Sequence, residues 1–182
     1  MTTSVDSRAP LGNHRPDTRE KLFFLLSGVV VSVPMTIFVE SFSGYGLLSA
    51  VIIAPIVEEF AKAYPLFYRH GETERSIFTL GFLVGLGFGI SEFFMYVVFF
   101  GAPIPIRLPA LLFHATNASI VAYGIAKRRT LPFYLIAVFL HLSNNFFAGL
   151  GLLWFVGGVA ATAGSYLLSW RLWRRTSETP PD

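Results

Sequence analysis

The sequence predicts an all-α fold, a polytopic membrane bundle of about six transmembrane helices with both termini cytoplasmic. Three observations predict it. The chain is 53% hydrophobic and only 14% charged, where a soluble domain carries roughly 25% charged residues. Apolar runs of about 20 residues recur along it, the length that crosses a bilayer as a helix with its backbone satisfied. Basic residues fall in every second loop, as the positive-inside rule requires.

Residues 1–19 are polar, with Pro10, Gly12 and Pro16 and no apolar period, and read as a disordered cytoplasmic tail. The first apolar run, Lys21 to Phe42, is too long for a signal-peptide core and lacks a small-x-small cleavage site. It is expected to remain as an anchor, kinked at Pro34. The second span runs from Tyr45 to Tyr68 and the third from Ser76 to Phe100. Gly101-Ala-Pro-Ile-Pro-Ile-Arg107 then breaks the helix. The fourth span runs from Leu108 to Ala126 and stops at Lys127-Arg128-Arg129. Leu131 to Trp173 is too long for one helix, so a turn near Gly149 to Gly151 divides it into a fifth and a sixth. Residues 20–173 are thus one transmembrane helical domain, and 174–182 a second cytoplasmic tail.

Loop charges support this division. Arg8, Arg15, Arg19 and Lys21 precede span one; Arg69 and Arg75 follow span two. Lys127, Arg128 and Arg129 follow span four, and Arg171, Arg174 and Arg175 close span six. The three intervening loops hold only Arg107. Glu40 and Arg107 read as interfacial residues at the outer boundary. His14 and His70 lie outside the spans and carry no assignment. Gly81, Gly85 and Gly89 repeat every four residues in span three, and Gly157, Ala161 and Ser165 do so in span six. Such stripes let helix backbones approach closely. In span three the stripe leads to Glu92, whose carboxylate therefore points into the bundle.

Ionisable groups inside the spans carry the functional reading. Glu58, Glu59 and Lys62 lie in span two, Glu92 in span three, His114 in span four, and His141 with Asn145 in span five. A charge at mid-membrane costs about 2.5–3.5 kcal/mol on insertion scales, so such residues are retained when they pair or act. At about 1.5 Å rise per residue, Glu58, Glu92, His114 and His141 all fall between the midplane and the outer leaflet. Four helices can therefore meet in one cavity. Lys62 is three positions from Glu59 and four from Glu58, and can neutralise either one. His141 and Asn145 are four apart and share a helix face.

A carboxylate, two imidazoles and a carboxamide suit peptide hydrolysis. A glutamate can activate water, a histidine can protonate the leaving amine, and Asn145 can support the oxyanion. A metal version uses Glu59, Glu92, His114 and His141 around a divalent ion such as zinc, with an open water position. Spacing leaves both versions open, since the ligands come from separate helices and no HExxH is present. The aspartates, Asp6, Asp17 and Asp182, all lie in tails, which excludes an aspartyl dyad. No GxSG serine motif occurs, and the absence of cysteine removes thiolate chemistry. The net charge of +3, placed in tails and loops, suits a lipid bilayer surface rather than nucleic acid.

At these residues the chain resembles a known family. Glu58-Glu59-x-x-Lys62, Gly81-Phe-x-x-Gly85-x-Gly-Phe-Gly-x-x-Glu92, His114-Ala115 and His141-x-x-x-Asn145 resemble, in order, the motifs of PrsW-type intramembrane proteases. That family belongs to the superfamily of CAAX prenyl proteases and bacteriocin-processing enzymes. The resemblance covers about residues 47–150, with Phe93 where the family often has asparagine. It implies a multi-pass peptidase of the cell membrane that cleaves a membrane-anchored protein, in PrsW-type members an anti-sigma factor. It implies Glu58 as the water-activating base, His114 and His141 as assistants and Asn145 as oxyanion support. Three alternatives remain. The Glu58–Glu59–Lys62 group can be a structural ion pair. The Glu/His cluster can serve a proton-coupled transporter or channel. The protein can also be a scaffold without activity.

Overall fold

The computed structural model describes residues 14–42, 46–68 and 72–178. Most of the expected N-terminal tail, Tyr45 at the start of the second span, Arg69, His70 and the end of the C-terminal tail lie outside the described residues. The described chain is all-α. Its helices are α1 (Thr18–Glu40), α2 (residues 47–68), α3 (Glu74–Phe99), α4 (Ile104–Ala126), α5 (Thr130–Ala148) and α6 (Trp154–Trp173). Four of them, α1, α3, α4 and α5, are long and apolar enough to cross a membrane, so the chain is a multi-pass membrane protein. The helix break expected at Gly149 to Gly151 is present, with Gly151 in the left-handed conformation at φ 59°.

Both prolines near helix centres sit just after widened turns. Gly28–Ser32 in α1 precedes Pro34, and Ser49–Ile53 in α2 precedes Pro55. A proline has no N–H to donate and its ring crowds the carbonyl four residues back. Widening the preceding turn relieves both problems while the helix continues. A third wide turn, Met95–Phe99, closes α3.

The central helix is α4. Its apolar window is 67% buried, against 28% or less for α1, α3 and α5. The glycine stripe of α3 lies on it. A Cβ at Gly85 would meet the His114 carbonyl and come 2.8 Å from Cα of Ala115. On the opposite side of α3, Gly87 lies against the Leu25 carbonyl of α1. The stripe of α6 does more than pack: Ser165 bonds to Thr116 at 2.7 Å and donates to Asn117 Oδ1 at 2.7 Å.

The two ends of the bundle differ. At the end where α1 begins and α6 finishes, Phe24, Leu66, Ile77, Leu80, Val84 and Ala126 form a dry core. Ion pairs close it: Lys127 pairs with Glu74, and Arg75 donates to Glu178 at 3.1 Å. Ser177 N–H donates to Glu74 at 3.0 Å, so residues up to 178 dock on the start of α3. At the other end the helices part around a polar cavity.

Candidate active site

Glu58 and Glu59 are adjacent in α2, so their side chains leave the helix about 100° apart. Glu59 turns into the bundle and is 0% exposed, as is Lys62 one turn later. Lys62 Nζ donates to Glu59 Oε1 at 2.6 Å and to His114 Nδ1 at 3.1 Å, and lies 4.9 Å from the Phe88 ring centroid. A buried ammonium survives only with such partners. Glu58 turns the other way, onto the cavity wall, with 13% of its side chain exposed.

The two histidines have matching surroundings. His141 Nδ1 is 2.8 Å from Glu59 Oε1, and its Nε2 faces Glu58 Oε2 at 3.7 Å. His114 Nε2 contacts Glu92, and its Nδ1 faces Glu58 Oε2 at 3.9 Å. Each ring is thus held by one glutamate and turned towards Glu58 by its other nitrogen. The rings meet edge to face with centroids 5.2 Å apart. Glu58 Oε2 is buried and has no hydrogen-bond partner among the described residues. Its 3.7 and 3.9 Å separations from the rings exceed direct hydrogen bonds and suit a shared water.

Glu58, His114 and His141 are also a group that could hold a metal ion, with ligand atoms within 4.8 Å of one another. This corrects the set read from the sequence, in which Glu59 and Glu92 joined the histidines. Glu59 is turned away from Glu58 and occupied by Lys62 and His141. Glu92 sits on the far nitrogen of His114. Both carboxylates stand where outer partners of metal-bound histidines stand. The fit has one competitor, since Lys62 donates to the same His114 Nδ1 that would bind the ion.

Glu58 and Glu92 line a cavity of about 360 Å³, together with Thr36, Glu40, Arg107 and Asn145. Asn145 stands one turn from His141, as its spacing requires, but is not in the Glu/His cluster. Its amide donates to the Ala50 carbonyl in the wide turn of α2, 3.0 Å away. Glu40 and Arg107, read from the sequence as interfacial, line the cavity wall. Arg107 donates to Glu92 Oε1 at 2.9 Å, and its guanidinium lies 3.7 Å from the Tyr96 ring centroid. The bundle parts at this end, and Arg107, in the first turn of α4, turns inward to meet Glu92. Asn117 had no assigned part. Its amide donates to the Ala137 carbonyl at 3.2 Å and reaches Glu59 Oε1 at 3.5 Å. Its position three residues from His114 was the available signal. A larger cavity of about 500 Å³ between α1 and the end of α2 is apolar, with Glu20 at its rim, and offers no comparable chemistry. No family model, no curated protein and no solved structure matches this chain.

Proposed function

We propose that this protein is an intramembrane endopeptidase that hydrolyses a peptide bond in a membrane-anchored protein. One observation carries the reading: the Glu58 carboxylate stands at the cavity wall between two histidines, each fixed from behind by another glutamate. A water bonded to Glu58 Oε2 and a histidine nitrogen gives a proton to Glu58 as its oxygen attacks the substrate carbonyl. The new C–O bond places charge on the carbonyl oxygen, which the second N–H of the Asn145 amide can meet. As the C–N bond breaks, the proton held by Glu58 passes through His141 Nε2 to the leaving amine. Glu59, itself bonded by Lys62 and Asn117, holds His141, and Glu92 and Lys62 hold His114. If a divalent ion such as zinc binds, Glu58, His114 and His141 would hold it, and it would polarise water and carbonyl.

The topology in this reading has six spans, with both termini cytoplasmic and the cavity towards the outer face of the cell membrane. The resemblance to PrsW-type proteases supports the substrate class, a single-span protein such as an anti-sigma factor. A proton-coupled transporter would draw on the chain of contacts from Arg107 through Glu92, His114, Lys62 and Glu59 to His141. Against it, the end of the bundle where α1 begins is a dry core of residues such as Leu66, Leu80 and Val84.

The test is cleavage of single-span membrane reporters by the purified protein, read as new N-termini. Glu58→Gln is expected to lower cleavage by about 10²–10⁴-fold while the protein stays folded. Undiminished cleavage by that variant would sink the assignment. Adding a chelator to the wild-type assay separates water-only from metal-assisted chemistry.

A further inference from the structure

Behind the catalytic cavity lies a second groove, formed by α4, α5 and α6 and also of about 360 Å³. The two share Arg107, Asn145 and Ala148 on their common wall. Their charges oppose each other. The first is lined by Glu40, Glu58 and Glu92, with Arg107 as the one cation among its lining residues. The second is lined by Arg107, Asn144, Asn145 and Thr162 with apolar neighbours, and has no acid. Arg107 spends an N–H on Glu92, and stacking on Tyr96 holds its plane. Its Nε has no hydrogen-bond partner among the described residues. A fixed guanidinium with donors to spare is suited to a carboxylate.

We infer that the two cavities form one path for an extended substrate, and that Arg107 binds a carboxylate on the flank lying in the second groove. An acidic side chain on the other flank would face three glutamates and be repelled, so the same charges set the direction of the chain. This rests on the peptidase reading, since it makes the path a substrate path. An extended strand rises about 3.3 Å per residue. The acid therefore lies a few residues to one side of the bond that Glu58 reaches.

The experiment measures binding and cleavage separately. Fluorescent peptides with Glu, Gln or Lys at successive flank positions are bound to full-length Glu58→Gln protein in zwitterionic bicelles, read by anisotropy. Wild-type protein then cleaves the same set. The Glu peptide is expected to bind roughly tenfold tighter than the Gln peptide at one flank position. Arg107→Gln is expected to abolish that ratio, Arg107→Lys to keep part of it, and Arg107→Glu to favour the Lys peptide. A Glu/Gln ratio unchanged in all three variants overturns the inference. Loss of the ratio when anionic lipid is added to wild-type bicelles assigns Arg107 to a lipid headgroup and also overturns it. Arg107-dependent binding without cleavage by the wild type leaves the carboxylate site standing and removes the peptidase reading. Cleavage without acid preference does the reverse.

Discussion

Lys62 is the residue on which the buried charges depend. It is fully buried, with Glu59 and His114 as its polar partners, and it separates the inward glutamate from the one at the cavity wall. Removing one member of a buried pair leaves the other uncompensated, at about 3–5 kcal/mol. Lys62→Met should therefore lower the thermal midpoint in detergent by that equivalent. The double variant Glu59→Gln/Lys62→Met should recover most of the loss, because no lone charge then remains. Additive losses in this double-mutant cycle would contradict the pairing. Spacing put Lys62 in reach of both glutamates. The rotation of α2 in the bundle chose Glu59, three residues away, and left Glu58 to the cavity. Sequence spacing also found both histidines and Glu92. It missed Asn117 and the contact of Arg107 with Glu92, because their partners come from other helices and no local pattern records them.

Among the elements, the α3–α4 contact decides whether the site assembles. Glu92 reaches His114 because Gly85 and Gly89 let the two backbones close on each other. A Cβ at Gly85 would meet backbone of α4, which cannot give way as a flexible side chain can. Gly85→Ala is expected to cost about 1–3 kcal/mol, the usual range for overpacking, and to part Glu92 from His114. Gly46→Ala is the control, since nothing lies within 4 Å of its Cβ position. Equal thermal midpoints for the two variants would refute the close approach. The four-residue stripe made this contact legible in advance. The wide turns of α1 and α2 were legible only as a kink at Pro34, because whether a proline bends or widens its helix depends on the helices packed beside it.

For the whole molecule, the asymmetry between ends is the main property. One end is sealed by apolar packing and by the Glu74, Arg75, Lys127 and Glu178 ion pairs; the other opens at Glu40, Glu92 and Arg107. If the basic loops are cytoplasmic, the cavity faces outward. The chain has no cysteine, so single-cysteine variants report cleanly. Ala102→Cys is expected to react with an impermeant maleimide on intact cells, and Lys127→Cys only after lysis. Labelling of both from the same side would refute the six-span arrangement.

Composition and periodicity alone determined a helical membrane protein, the order of its helices and the residue types able to carry chemistry. Those properties are local: apolar length, charge between spans, and residues three or four apart on one helix. Which carboxylate meets which imidazole was decided by tertiary structure. A helix brings only one face to its neighbours, and adjacent residues such as Glu58 and Glu59 must diverge. Packing turned Glu59 to Lys62 and His141, set Glu92 behind His114 and left Glu58 facing both rings.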